Sequence, residues 1–374
     1  MRTFGVDVHK RFLEVSVYEG GRTGRIGRVA MADREALADS LVPDDHVVIE
    51  STSVSGAVVD VLGRRAGRVT VSNPMKTKAI ASAKVKTDKV DARVLAELGA
   101  SGFVSEVWVP DAQVRSLRRR VAHRARLVRQ RTRLRNQVHA VLTRNLLGVR
   151  ATDAFGKRGR AELAAAALPE HERYELDSAL RLHDALEAEL AVLDGRLCAE
   201  ALEHVEARRL MTIPGVGAVT ALGLVALIGD VSRFATPRHL VGYLGLDPRV
   251  RQSGERAHRT GHISRQGQAH ARSLLVEASL GVVKVPGPLR AFHARVRARR
   301  GSQIASVATA RKLATLIWCS PSSRAARARR RRPVARRRPL ATSTRGTASA
   351  TCWPSSRAAR AGGGGLPRGD CGGR

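Results

Sequence analysis

Carboxylates embedded in strand-like apolar runs constrain this chain more than any other feature. Asp7 sits inside Thr3-Phe4-Gly5-Val6-Asp7-Val8, and Glu50 ends Val47-Val48-Ile49-Glu50. A charge inside such a run is costly unless something pairs with it. Asp88 and Asp91 lie three apart in Lys86-Thr87-Asp88-Lys89-Val90-Asp91-Ala92, so on a helix they share a face. Alone, that pair reads as a solvated helix start, since acids suit a first turn. With Asp7 and Glu50 it reads as half of a ligand set for Mg2+, a hard cation that takes carboxylate oxygens. Two strand acids and two helix acids point to phosphodiester chemistry.

The charge balance agrees. The 374 residues carry a formal net charge of +33, which implies a polyanionic partner, nucleic acid before a membrane surface. Aromatic residues are only 3% of the chain, so phosphate contacts from Arg and Lys, not base stacking, are expected to carry affinity. No window approaches the roughly 20 apolar residues that cross a bilayer, and no signal peptide is visible. Cys198, Cys319, Cys352 and Cys371 show no paired spacing, so neither a disulfide framework nor a zinc site is expected. The expected location is the cytoplasm, at the nucleoid.

Residues 1–108 read as mixed α/β. Strands are expected at Thr3–Val8, Phe12–Tyr18 and Gly24–Ala30, with glycines at 20, 21 and 24 marking hairpins. A helix near Asp33–Leu41, strand His46–Glu50, helix Val54–Arg65, strand Arg68–Ser72 and helices near Pro74–Lys84 and Asp88–Leu98 complete the segment. This is the element order of a ribonuclease-H-like fold. In it the first and fourth strands are neighbours, which sets Asp7 beside Glu50.

Residues 109–205 read as all-helical. From Val114 to Leu147, the apolar Val114, Leu117, Val121, Val128, Val138 and Leu142 recur at helical spacing. The other faces carry Arg115, Arg118, Arg119, Arg124, Arg131 and Arg135 among further arginines. Like charges four apart repel, and a phosphate backbone relieves that repulsion, so this helix is expected to touch nucleic acid. A second helix follows Pro169, with Leu186, Leu190, Leu193 and Leu197 forming a short coiled-coil seam. Its acids, Glu175, Asp184, Glu187, Glu189 and Asp194, suit pairing with the basic helix in this chain or in another copy.

Residues 206–318 read as a mainly α unit. Pro214-Gly215-Val216-Gly217 opens the apolar helix Ala218–Ile228, like a helix-hairpin-helix turn whose backbone amides face a phosphate. Glycines at a tight turn are the plainer reading. A polar, glycine-punctuated stretch runs from Gly242 through Gln252-Ser253-Gly254-Glu255 to Ile263-Ser264-Arg265-Gln266-Gly267, before a helix near Ala269–Val283 that carries Arg272. Loops this long in compact domains are often functional.

Five markers in order carry a resemblance: Gly5-Val6-Asp7-Val8-His9-Lys10, Ile49-Glu50, Lys86 to Ala92, Ile213 to Gly217, and Ser253-Gly254 to Arg272. Over residues 1–318 the chain resembles the DEDD transposases of the IS-one-ten insertion-sequence family, recombinases guided by an RNA from their own element. The resemblance implies a RuvC-like catalytic domain at 1–108, a helical coiled-coil region at 109–205 and a serine-bearing transposase domain at 206–318. It maps Asp7, Glu50, Asp88 and Asp91 onto a metal-binding tetrad for a pair of Mg2+ ions. The nucleophilic serine maps to Ser253, with Ser264 as runner-up. Ser253 before glycine also reads as an ordinary turn residue. Implied partners are element-end and target DNA, a guide RNA and further copies of the chain as a dimer or higher oligomer, with no membrane. Candidate nucleic-acid contacts are the arginines above with Gly215, Gly217, Arg265 and Arg272.

Residues 319–374 depart from the pattern, with fourteen Arg, one Asp and no Lys. Without apolar periodicity this segment is expected to be disordered. Its Arg/Ala/Gly/Pro text is what a GC-rich gene yields out of frame, and a basic nucleic-acid-binding arm is the functional alternative. Two other functions compete for the whole chain. A RuvC-like Holliday-junction endonuclease needs the carboxylates but no serine. A non-catalytic nucleic-acid-binding protein needs neither.

Overall fold

The computed structural model describes residues 1–80, 87–251 and 259–320. Ser253 and the Arg-rich segment from 321 onward lie outside the described residues. The N-terminal part contains β1 (Thr3–Val8), β2 (Phe12–Glu19), β3 (Arg22–Ala30), α1 (Arg34–Asp39), β4 (His46–Glu50), α2 (Ser55–Leu62), β5 (Arg68–Ser72), α3 (Pro74–Ile80) and α4 (Asp88–Ser101). The strands form one sheet in the order β3-β2-β1-β4-β5. β1 pairs antiparallel with β2 and parallel with β4, so the first and fourth strands are neighbours as their order led us to expect.

Strand alternation divides the sheet into two unlike faces. Phe4, Val6, Val8, Leu13, Val15, Val47, Ile49 and Val71 fill one face and pack with Leu37 of α1, Leu41 just beyond it, and Val58, Val61 and Leu62 of α2. The other face carries Thr3, Asp7, Glu14, Ser16, His46, Thr70 and Ser72, all buried. Buried polar groups need partners, and His46 Nε2 accordingly lies 2.9 Å from Thr70 Oγ1.

The helix α4 covers this polar face. Its buried stripe is Ala92, Leu95, Ala96 and Gly99. Small residues let helix and sheet backbones approach closely. A Cβ on Gly5 would collide with the Ala92 carbonyl and the Ala96 amide, and one on Gly99 would press on Val48 and Thr3. Thr87 caps the helix, accepting from the Val90 amide at 3.4 Å, and Gly102 ends it at φ 73°.

Beyond α4 the chain is mostly helical: α5 (Ala112–Arg144), α6 (Lys157–Ala165), α7 (Glu170–Glu203), α8 (Val205–Met211), α9 (Ala218–Ile228) and α10 (Pro237–Tyr243). The hairpin β6 (Pro248–Arg251) and β7 (Arg259–Ile263) precedes α11 (Ala269–Val282), α12 (Pro288–Arg300) and α13 (Ser302–Cys319). This hairpin departs from the long polar loop expected over the stretch. Its residues, Pro248-Arg249-Val250-Arg251 and Arg259 to Ile263, are too short and too polar to show alternation.

The helices α5 and α7 run antiparallel. Arg120 meets Glu200 at 2.7 Å, Arg131 meets Glu187 at 3.1 Å, and Arg144 meets Glu172 at 2.5 Å, so partners descend α7 as they climb α5. Leu190 and Leu197 of the expected seam are buried. At one end Val138, Val141 and Leu142 pack with Leu163, Leu176 and Ala179. At the other, Leu117, Val121, Leu197 and Ala201 join a larger core with α8 to α11 and α13. Among the described residues no helix is long and apolar enough to cross a membrane.

Candidate active site

Asp7 occupies the penultimate position of β1 on the polar face and is 7% exposed. The parallel register pairs Val6 with Ile49, so Glu50 stands one step further along β4 as Asp7 does along β1. Across the antiparallel pair, Asp7 faces Glu14 of β2. The first turn of α4 brings Asp88 and Asp91 to this end of the sheet, because the helix rests on Gly5 and cannot slide away from β1.

His9 joins the carboxylates. Its Nε2 lies 3.0 Å from Asp7 Oδ2 and 3.5 Å from Asp88 Oδ1. Asp7, His9 and Asp88 form the one group among the described residues whose ligand atoms cluster within a metal ion's reach, all within 4.8 Å of one another. The donor set, carboxylate oxygens with one imidazole nitrogen, fits a divalent cation. Burial pushes the Asp7 carboxyl above the ordinary carboxylate range, the His9 ring opposes that shift, and the charges of Asp91 and Asp88 push it further up. Like charges gathered in one place are what a bound cation neutralises.

A second layer holds this cluster. Glu14 is fully buried and accepts from Arg25 Nε at 2.8 Å and Arg28 Nε at 3.4 Å. Arg28 also reaches Asp88 Oδ2 at 3.4 Å and lies 4.1 Å over the Phe12 ring. Phe12 in turn stacks on His9 with centroids 4.5 Å apart. Sequence reading passed over His9, Glu14, Arg25 and Arg28. The signal was present: Glu14 breaks the apolar run Phe12-Leu13-Glu14-Val15, and His9 follows Asp7 at the two-residue strand period.

The other expected contacts fall elsewhere. Arg118 Nε and Nη2 donate to the Ala226 and Leu227 carbonyls at 2.7 and 2.8 Å, closing the C-terminus of α9. Arg115 pairs with Asp60 and donates to the Pro110 carbonyl. Arg124 binds Asp194 through two nitrogens, and Arg131 and Arg135 both reach Glu187. Carboxylates of α7 thus relieve much of the charge crowding on α5 that phosphate was expected to relieve. Arg119 is exposed. Gly215, at φ 83°, is pressed against the backbone of α11, where a Cβ would collide with the Ala278 carbonyl, so packing alone demands glycine there. Gly217 precedes α9 as its N-cap. Arg265 is exposed at φ 57°, and Arg272 donates to the Leu244 and Arg265 carbonyls at 3.0 and 3.3 Å. Ser264 Oγ donates to Asp247 Oδ1 at 2.6 Å, at the base of the β6–β7 hairpin.

Comparison with known proteins places this arrangement. A family model for DEDD transposases matches residues 4–146, and one for the IS116/IS110/IS902 transposase family matches residues 207–294. The transposase for insertion sequence element IS1328 of Yersinia enterocolitica is 30% identical over 253 residues, covering 62% of this chain and 71% of that protein. The transposase for element IS1111A of Coxiella burnetii is 30% identical over 240 residues, 62% of this chain and 66% of its own length. The pilin gene-inverting protein of Moraxella lacunata is 29% identical over 242 residues, 62% of this chain and 65% of its own length. The class is that of insertion-sequence transposases, which implies a DNA-cleaving recombinase. Within it, this chain belongs to the IS110 family.

Proposed function

We propose that this chain cuts and rejoins the ends of its own element through a phosphoserine intermediate, with Asp7, Glu50, Asp88 and Asp91 as ligands of divalent cations, Mg2+ in the first instance. The observation that carries this reading is the convergence of Asp7 and Asp88 on one side of His9, produced by the seating of α4 on Gly5. In this reading residues 1–108 are a RuvC-like, ribonuclease-H-related catalytic domain. Residues 109–205 are a coiled-coil arm, and residues 206–318 carry the serine.

Ser253 is the nucleophile of choice and Ser264 the second choice, since the Ser264 hydroxyl already donates to Asp247. In the reaction the serine Oγ–phosphorus bond forms as a DNA phosphorus–oxygen bond breaks, the serine proton passes to a base, and the freed DNA oxygen takes up a proton and leaves as a hydroxyl, the group that attacks the phosphoserine on rejoining. Divalent cations held by these carboxylates would supply Lewis-acid polarisation of the phosphate. The carboxylates fix the cations, and the Glu14–Arg28 pair holds Asp88 in place. Base pairing with an element-encoded RNA reads the sequence while the basic protein holds the duplexes by shape and backbone. Phosphates are met by exposed cations such as Arg119 and Arg265 and by the amides around Gly215 and Gly217. Assembly as a dimer or higher oligomer joins serine and carboxylates from different copies.

The test is a covalent-adduct assay with element-end DNA, the flanking transcript and Mg2+, read on a denaturing gel. A protein–DNA species that vanishes in both Ser253→Ala and Asp7→Asn supports the reading. Free cut ends with no adduct would favour a resolvase-like nuclease and end the serine assignment.

A further inference from the structure

His9 is the member of the cluster that is not a carboxylate. Its Nε2 stands 3.0 Å from Asp7 Oδ2 and 3.5 Å from Asp88 Oδ1. Adjacent donors around an octahedral ion with bonds of about 2.1–2.2 Å stand roughly 3 Å apart. His9 Nε2 stands at that spacing from Asp7 Oδ2, with which it shares a hydrogen bond, and a little beyond it from Asp88 Oδ1, and all three atoms lie within 4.8 Å of one another. The ring is also held from outside the cluster. It stacks on Phe12 at 4.5 Å, and the His9 backbone N–H donates to the Phe12 carbonyl at 3.0 Å. Arg28 lies over Phe12 at 4.1 Å and reaches Asp88, so one stack orients both His9 and Asp88. A ring fixed this way presents Nε2 to the ion with little ordering left to do.

We infer that His9 is a direct ligand, through Nε2, of the ion held by Asp7 and Asp88, and that this mixed nitrogen–oxygen site takes Mn2+ in preference to Mg2+. The inference rests on the carboxylate metal-site reading above and adds to it the donor that sets metal preference. Mg2+ favours oxygen donors and gives up water reluctantly, whereas imidazole suits transition ions. The expected preference for Mn2+ is at least about tenfold. His9→Gln removes most of it, while Mg2+ affinity changes by less than about threefold because the oxygens remain.

The experiment uses the full-length chain without nucleic acid, titrated with MnCl2 alone and again against competing MgCl2, where Mg2+ displacing Mn2+ at equal concentration overturns the preference. Free Mn2+ is counted by electron paramagnetic resonance, and nitrogen coupling to bound Mn2+ is read by electron spin-echo modulation. The wild type, the wild type grown on 15N-histidine, and His9→Gln are compared. The expected result is an imidazole coupling in the wild type that changes with the isotope and is lost in His9→Gln. The isotope arm decides the question even where the variant fails to fold. Mn2+ bound without histidine coupling, or a coupling that survives in a folded His9→Gln, overturns the assignment and leaves the carboxylate site standing. A wild type that binds no Mn2+ overturns both.

Discussion

Gly5→Ala tests the feature on which the whole site depends, the close seating of α4 on β1. The added methyl would stand 3.0 Å from Ala96 Cα and nearer still to the Ala92 carbonyl and the Ala96 amide. These are backbone atoms, so no side chain can rotate aside, and the helix must move out by roughly 1 Å to restore van der Waals separation. Overpacking a well-filled interior costs about 1–3 kcal/mol, and a backbone collision belongs at the upper end. The movement also carries Asp88 and Asp91 away from Asp7, and a 1 Å misplacement of this kind costs on the order of 100-fold in rate. Urea unfolding should show a loss of about 3 kcal/mol with an unchanged slope, and adduct formation should fall on the order of 100-fold. A variant within about 0.5 kcal/mol of wild type that cleaves normally would refute the argument that Gly5 seats the helix.

Four further outcomes follow from other contacts in the structure. Burial holds the Asp7 pKa above its unfolded value, so its contribution to stability is full below the ordinary carboxylate range and is lost as pH rises through the raised folded value. Metal-free Asp7→Asn should therefore exceed the wild type at pH 7, by on the order of 1 kcal/mol, and lose that advantage in acid, as thermal melts across pH would show. Arg118→Ala should cost about 1–3 kcal/mol by orphaning the Ala226 and Leu227 carbonyls, yet leave the salt dependence of DNA binding unchanged. Arg119→Ala should do the reverse, reducing the slope of log K against log salt by about 0.9 when binding is titrated at several ionic strengths. A double-mutant cycle on Arg124 and Asp194, read by urea unfolding, should give a coupling of about 0.5–1 kcal/mol, since the pair is two-pronged but partly solvated.

Much of this arrangement is legible in the sequence because it is local. Strand alternation fixes which of Val6, Asp7 and Val8 share a face, and helical spacing fixes that Asp88 and Asp91 share one with Ala92 and Leu95. The run of strands and helices follows from elements each readable in isolation, the adjacency of β1 and β4 from the fold that their order resembles, and the parallel sense of that pair from the structure. The same locality explains what was missed. Glu14 draws no attention in the sequence, because nothing near it announces that α4 will cover that face and that Arg25 and Arg28 will come to meet it.

Charge was the least local quantity. Sequence alone determined that α5 carries more arginines than a solvated helix tolerates, since like charges repel at fixed helical offsets. Only the tertiary structure decided where their partners lie: Arg120, Arg124, Arg131 and Arg144 find carboxylates on α7 some 28 to 80 residues away, and Arg118 finds the end of α9. The same division holds at the site. The sequence supplies the carboxylates and their faces, and the contact of α4 with Gly5 decides that Asp88 reaches the Asp7–His9 pair, because distances between elements are set by packing rather than by propensity.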